Sequence, residues 1–593
     1  GLDKSEYAPI VQKQTAASAD ARRISGVIAA RGIAAGRAVH LRRAEMVIDE
    51  QSQGVDVEQA RFDRARREMR ERLSSLAVHQ RGPRREILEA HLQFLDDPEL
   101  IAATREGIAQ GKSAAVAWQI AVRAQVRALG SLNDARLRER ADDLRDVEAQ
   151  LLAELTGESA TLAPELPEHA IVLAKDLLPS QFVALNASRV AGICTAEGGA
   201  TSHVAILAAS MDIPTLVAAG PRILDVPENA ELVLDAEQGW LNVSPTPAEL
   251  QHAKDSVARH RARLAEDLSH AQRECFTSDG VRIHIYANAG SLAEARAAVA
   301  HGAEGCGLLR TEFLFLDRAT APDEREQATQ YARIAATFGG RPVAIRTLDV
   351  GGDKPLRYLP LAAEENPALG VRGIRASLLH PQLLRTQLRA ILGAAASGEC
   401  RILLPMVTDA DEIRAVRAML AELQQEMKLE KRVPLGAMIE TPAAALMAEQ
   451  IAREADFLSI GTNDLTQYTL AVDRGNAALA DRLDALHPAV LRLISRVARA
   501  AEERRRELAV CGGLASDPEA TPILIGLGVR ELSMVTAAIP RQKSFIRSLN
   551  SVDCAALARE ALQLEDAGSV RSLVQRWLAA RAAAPVAAME VSS

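Results

Sequence analysis

The stretch Thr195-Ala196-Glu197-Gly198-Gly199-Ala200-Thr201-Ser202-His203 combines residue types that suit phosphate chemistry. Gly198 and Gly199 let the backbone turn and bring its amides close to an oxyanion. Thr201 and Ser202 can donate hydroxyl hydrogen bonds, and His203 offers a neutral ring nitrogen as a nucleophile. The apolar run from Val204 to Ala209 reads as a helix, which sets the loop at a helix N-terminus, where orphan amides and the macrodipole favour anions. Taken alone, a histidine beside a Gly-Gly turn is more often an ordinary capped loop. The chemical reading therefore depends on the rest of the chain.

A second set of reactive types lies downstream. After Ser278, eight short apolar runs alternate with helical stretches, at 283–286, 305–309, 343–346, 402–405, 435–439, 457–460, 508–511 and 531–534. Eight strands alternating with helices predict a (β/α)₈ TIM barrel, whose chemistry gathers at the C-terminal ends of the strands. Arg310 and Glu312 follow the second run, Arg346 and Asp349 the third, Glu440 the fifth, Asn463 and Asp464 the sixth, and Cys511 ends the seventh. The planar fork of arginine binds carboxylate or phosphate through two hydrogen bonds. Arg310, Arg346, Arg372 and Arg474 thus describe a pocket for a small polyanion, to which Lys354 adds a point charge. Glu440 and Asp464 supply hard oxygen ligands from neighbouring strands, a pairing suited to Mg²⁺ with water and substrate oxygens in its other positions.

The elements that must position these groups divide the chain as an α/β multidomain protein. Residues 1–22 are polar and aperiodic and read as a linker or tail. Residues 23–50 and 160–245 carry strand-like runs and form one α/β domain around His203. Between them, 51–159 is helical almost throughout and reads as an inserted helical bundle. The charge-rich segment 246–276 reads as a linker helix, 277–580 as the barrel and 581–593 as a tail. His91, within the insert, reads as structural.

At 593 residues the chain exceeds a single core, and 48% apolar with 25% charged residues describes a globular protein. A net charge of −8 lends no support to nucleic-acid binding. Six scattered cysteines with no CxxC read as reduced thiols in a cytoplasm. No apolar run approaches the roughly 20 residues that span a bilayer, so no membrane insertion is expected.

Gly-Gly-x-Thr-Ser-His at 198–203 resembles the phosphohistidine signature of enzymes that use phosphoenolpyruvate. Longer motifs match the same group in the same order: Gly-Leu-Leu-Arg-Thr-Glu-Phe-Leu-Phe at 307–315, Arg-Thr-Leu-Asp-Val-Gly-Gly-Asp-Lys at 346–354, Glu-Thr-Pro-Ala-Ala at 440–444, Ser-Ile-Gly-Thr-Asn-Asp-Leu-Thr-Gln-Tyr at 459–468 and Ala-Val-Asp-Arg-Gly-Asn at 471–476. From about Ile24 onward the chain resembles the Enzyme I family of the bacterial sugar phosphotransferase system. The resemblance implies a swivelling phosphohistidine domain. It implies phosphoenolpyruvate bound by Arg310, Arg346, Asn463 and Arg474, Mg²⁺ held by Glu440 and Asp464, and Cys511 as the proton donor to the enolate. It also implies that His203 passes its phosphoryl group to a histidine-containing phosphocarrier protein (HPr), free or as a fused module, docked on the helical insert. A homodimer through the barrel is implied in the same way. The chain departs from the family pattern at Ala200, often Arg, and at Gly513, often Glu. A dikinase or synthase would share the loop and barrel but needs a nucleotide-binding domain, and no Gly-rich nucleotide loop precedes His203. A regulatory module without turnover is the alternative of a different class.

Overall fold

The computed structural model describes residues 22–41, 48–79, 83–130, 135–157, 166–199, 202–316, 318, 320–351, 356, 358–359, 362, 364–474, 476, 479 and 482–583. Lys354, Ala200, Thr201 and the two predicted tails, except Arg22 and 581–583, lie outside them, and His203 is described through its backbone. The chain divides into two compact units, up to Ala262 and from Arg263.

The first unit is built on eight strands: β1 (Arg23–Ser25), β2 (Val27–Ala30), β3 (Ile33–Leu41), β4 (Ala170–Ala174), β5 (Val190–Thr195), β6 (Thr215–Val217), β7 (Glu231–Asp235) and β8 (Trp240–Asn242). They form one mixed sheet in the order β1-β8-β7-β3-β4-β5-β6-β2. Its centre, β3-β4-β5-β6, is parallel. All five residues of β4 are buried, as expected for a strand covered on both faces. One face packs Ile171, Leu173, Cys194 and Leu216, the other Val172, Phe182, Ile193 and Leu207.

Among the described residues, five helices separate β3 from β4: α1 (Val55–His79), α2 (Pro83–Leu95), α3 (Pro98–Ala109), α4 (Ala114–Gly130) and α5 (Ala135–Thr156). Their apolar stripes meet in a core of Phe62, Met69, Leu95, Trp118, Val122, Val147 and Leu151. The start of α3 is fixed locally: Asp97 accepts from the amides of Glu99 and Leu100, with Pro98 in the first turn. Asp146 of α5 accepts from both the amide (2.8 Å) and the hydroxyl (2.6 Å) of Ser180, which fastens this bundle to the segment after β4. His91 is fully buried in that joint, its Nε2 3.8 Å from Asp146 Oδ2.

The second unit is a closed barrel of eight strands: β9 (His284–Ala289), β10 (Cys306–Leu309), β11 (Pro342–Arg346), β12 (Glu399–Leu404), β13 (Leu435–Ile439), β14 (Phe457–Ile460), β15 (Glu507–Val510) and β16 (Glu531–Met534). Every neighbouring pair is parallel, including β16 with β9, which closes the ring. The eight runs read from the sequence are these eight strands, within a few residues at each end. Leu308, Ala344, Leu403, Met438, Phe457 and Cys511 fill the interior, so the barrel is a packed core and opens only at its ends. A helix over Pro247–His270 leads into this unit. Among the described residues no helix is long and apolar enough to cross a membrane.

Candidate active site

The C-terminal mouth of the barrel is organised by two buried arginines. Arg346, the last residue of β11, donates to Glu312 Oε1 at 2.7 Å and lies 3.4 Å from Asp349 Oδ2. Arg372 reaches Asp349 through Nε and Nη2, both at 3.1 Å, and Asp464 through Nη1 (2.9 Å) and Nη2 (3.3 Å). All five side chains are buried. Burial works against the charge on Arg346, but Glu312, Asp349 and Glu440 outweigh it and raise its pKa. Arg372 behaves in the same way between Asp349 and Asp464. Both arginines are therefore permanent cations in a low-dielectric setting, where charge acts most strongly.

Backbone geometry makes the Arg372 contacts possible. Gly351, at φ 105°, lies so close to the 371–373 segment that a Cβ there would sit 2.1 Å from the Val371 carbonyl oxygen. Only glycine allows this crossing, which brings Arg372 over Asp349 although the two are far apart on the strand map. Tyr468 adds its hydroxyl 3.3 Å from Arg372 Nη1, and Arg474 Nη1 lies 3.7 Å from Asp464 Oδ2.

Glu440, just beyond β13, is 1% exposed, and its Oε1 accepts the Met406 amide at 2.6 Å. Met406 holds a left-handed backbone at φ 58°, a conformation that costs energy in a non-glycine residue and aims its N–H inward. Burial, followed by Asp464 and Asp349, pushes Glu440 up to about 8, against the opposing pull of Arg346 and the Met406 amide. A carboxyl group that holds its proton this firmly marks a place short of positive charge. The charge count agrees. Once Glu440 is ionised, Arg310, Arg346, Arg372 and Arg474 only balance Glu312, Asp349, Glu440 and Asp464, which leaves nothing to neutralise an incoming polyanion. The two hard-oxygen carboxylates Glu440 and Asp464 fit a divalent cation such as Mg²⁺. Among the described residues no group of three or more His, Cys, Asp or Glu could hold a metal alone, so water and substrate oxygens would have to complete the shell.

Cys511 follows β15 and is 3% exposed. Its amide donates to the Ile460 carbonyl at 3.0 Å, its thiol meets the same oxygen at 3.6 Å, and Asn288 donates to its carbonyl at 3.0 Å. Ser533 in turn orients Asn288 at 2.7 Å. Burial pushes the thiol up to about 11, so it is a proton carrier at neutral pH. Arg310, exposed at the end of β10, is among the charges that favour its thiolate. The next residue, Gly512, is crowded against Thr462, whose Oγ1 would lie 2.0 Å from a Cβ. Asn463 is exposed and accepts the Gly513 amide at 2.8 Å, which ties the strand ends of β14 and β15 together.

In the first unit, β5 ends at Thr195, and the loop that follows turns at Gly198 with φ 97°. His203 is the first residue of the helix His203–Ser210, and Ser202 is its N-cap, accepting the Ala205 amide. Ser202 is thus spent as an acceptor for the helix, while the amides of that turn remain at its N-terminus.

The barrel mouth therefore brings together Arg346, Arg372, Asp464, Arg474 and Glu440, with Arg310, Asn463 and Cys511 on adjoining strand ends. Lys354 falls outside the described residues. The sequence reading assigned no role to Glu312 and Asp349, which are the counter-ions of the arginines, and overlooked Met406, Tyr468 and Asn288. A carboxylate next to each motif arginine was a legible signal. The inward amide of Met406 had none, because a methionine does not announce a left-handed backbone.

Residues 25–140 match the model of the PEP-utilising enzyme N-terminal domain, 166–239 that of the PEP-utilising enzyme mobile domain, and 264–551 that of the PEP-utilising enzyme PEP-binding domain. The chain is 38% identical over 568 residues to the phosphoenolpyruvate-protein phosphotransferase of Haemophilus influenzae, covering 94% of this chain and 99% of that protein. It is 44% identical over 497 residues to the multiphosphoryl transfer protein of Rhodobacter capsulatus (83% and 60%) and 40% identical over 561 residues to that of Xanthomonas campestris pv. campestris (93% and 66%). It spans no more than about two thirds of the length of these two multiphosphoryl transfer proteins. Matched almost end to end with the Haemophilus influenzae protein, the chain belongs to the phosphoenolpyruvate-protein phosphotransferase family of PEP-utilising enzymes.

Proposed function

We propose that this protein is a phosphoenolpyruvate-protein phosphotransferase that takes the phosphoryl group of phosphoenolpyruvate onto His203 and passes it to a histidine of an HPr-type phosphocarrier, free or fused, as the first step of the sugar phosphotransferase system. The observation that carries the barrel's part is the buried set Arg346, Arg372, Glu440 and Asp464 at one strand-end mouth.

Arg310, Arg346, Arg372 and Arg474 bind the carboxylate and phosphate of phosphoenolpyruvate, with Lys354 and Asn463 completing the pocket. The His203 ring nitrogen supplies its lone pair to phosphorus, and the bond from phosphorus to the enol oxygen breaks with its electron pair remaining on that oxygen. The arginines stabilise the developing enolate. Its electrons then form a C–H bond at C3 with the proton of the Cys511 thiol, leaving a thiolate and pyruvate. Glu440 and Asp464 would hold Mg²⁺, which would supply charge neutralisation for the anion bound there. The helical insert offers the acceptor its docking surface, and the barrel face supports a homodimer, both in keeping with the resemblance. A cytoplasmic setting is in keeping with six cysteines that form no disulfide.

Incubation with ³²P-labelled phosphoenolpyruvate and MgCl₂ tests the reading. Acid-labile label on the native chain, absent from His203→Ala, is the expected result. A folded native chain that takes no label under these conditions would favour a regulatory module instead.

A further inference from the structure

The seat of Cys511 contains a hydroxyl that the family motifs leave without a role. Ser459 lies on β14, two residues beyond Phe457, and alternation along the strand puts both on the interior face. In register it pairs with Met438 of β13 and Ala509 of β15, two positions before Cys511. It is 1% exposed, and its Oγ has no hydrogen-bond partner of good geometry among the described residues. A buried hydroxyl without a partner costs stability, so its retention calls for an explanation.

The sulfur beside it supplies one. The Cys511 thiol donates to the Ile460 carbonyl at 3.6 Å, and that oxygen also takes the Cys511 amide at 3.0 Å. The carbonyl can accept a thiol proton, but it can do nothing for a thiolate, because it has no proton to give. Of the groups that act on this sulfur, the Ser459 hydroxyl opposes the effect of burial most strongly, ahead of Arg346 and Arg310. On the other side, Asn288, oriented by Ser533, fixes the Cys511 backbone.

We propose that Ser459 is a positioning residue for proton delivery: its hydroxyl swings onto the Cys511 sulfur as the thiol gives its proton to C3 of the enolate, and stabilises the thiolate until solvent reprotonates it. This rests on Cys511 being the proton donor. The balance closes without another reactant. The S–H bond breaks, the C–H bond forms, the enolate becomes the ketone, and the sulfur keeps its pair against a neutral O–H donor. Ser459 then acts on ketonisation and leaves phosphoryl transfer to His203 untouched.

The test is single-turnover rapid quench of the full-length chain with phosphoenolpyruvate and MgCl₂, scoring label on protein and pyruvate against enolpyruvate in the same samples. Four variants are compared: Ser459→Ala, Ser459→Thr, Ser459→Val and Cys511→Ala. Protein labelling should stay within about threefold of native in the three Ser459 variants. Pyruvate formation should slow about tenfold or more in Ser459→Ala and Ser459→Val and stay near native in Ser459→Thr, because a hydrogen bond to a charged group is at stake. Thr and Val differ only by hydroxyl against methyl, so this pair decides the matter if Ser459→Ala fails to fold. Native-like ketonisation in Ser459→Val with slow ketonisation in Cys511→Ala would overturn the role of Ser459 and leave Cys511 as donor. Native-like ketonisation in Cys511→Ala would overturn the donor itself.

Discussion

Arg372 grips Asp464 through two guanidinium nitrogens, at 2.9 and 3.3 Å, while its other edge holds Asp349 at 3.1 Å. The carboxylate proposed to hold a divalent cation is therefore paired with an arginine in this structure. Cation and guanidinium would have to share Asp464, and binding would loosen Arg372 from it.

Replacing Arg372 with Ala takes the shared guanidinium from two buried carboxylates, leaving Asp349 to Arg346 and Asp464 to the more distant Arg474. The barrel should lose about 3–5 kcal/mol, as when one partner of a buried ion pair is removed. MgCl₂ should recover part of that loss, because Asp464 is then free to bind it. Thermal melts with and without MgCl₂ would check this, and a variant as stable as the native chain in metal-free buffer would refute it.

Glu440, pushed up to about 8, holds a proton through the neutral range in the absence of metal. Because its folded-state pKa lies above its ordinary value, the folded chain binds more protons than the unfolded one between about pH 4.5 and 8. This residue's contribution to stability is thus fully present below that window and is lost as pH rises through it. A cation must displace the proton, so Mg²⁺ affinity should climb with pH and level off above about 8, with roughly one proton released per ion near neutrality. Calorimetric titration in buffers of different ionisation enthalpy measures this release, which Glu440→Gln should abolish.

Lys543 is fully buried, and its ammonium group contacts the carbonyl oxygens of Ala271 (2.8 Å), Arg273 (3.0 Å) and Gly302 (2.8 Å) and Glu304 Oε1 (2.8 Å). One side chain thus ties the residues that lead into β9 to the turn that leads into β10. Lys543→Ala would strand the Ala271 and Gly302 carbonyls and leave Glu304 to Arg282 alone and the Arg273 carbonyl to Arg547, with an expected loss of about 3–5 kcal/mol. Limited proteolysis should then cut near 271–275 before the barrel strands, and a Lys543→Ala chain as resistant as the native one would contradict this.

A methyl group at 512 has nowhere to go, since it would lie 2.0 Å from Thr462 Oγ1 and 2.7 Å from the Thr462 amide nitrogen. Gly512→Ala should displace the Cys511 strand end and slow pyruvate release at least about tenfold, with a stability loss of about 1–3 kcal/mol from overpacking. Thr462→Ser, which removes only a methyl, should leave the Gly512 packing intact.

Local periodicity and motif spacing determined most of this protein before any coordinate. Every barrel strand was legible as a largely apolar run of four or five residues, because a parallel strand buried on both sides is apolar along most of its length. The candidate chemistry was legible because arginines, carboxylates and a cysteine recur just past those runs, and the Gly-Gly-x-Thr-Ser-His loop ahead of an apolar helix pointed to the proposed nucleophile. Tertiary structure alone decided the pairing. That Arg372 reaches both Asp349 and Asp464 depends on a backbone crossing at Gly351, that Met406 supports Glu440 depends on one left-handed residue, and that Ser459 meets Cys511 depends on the register between β14 and β15. Each joins residues distant in the chain through closed-barrel geometry, and no local pattern encodes which distant side chain will be the neighbour.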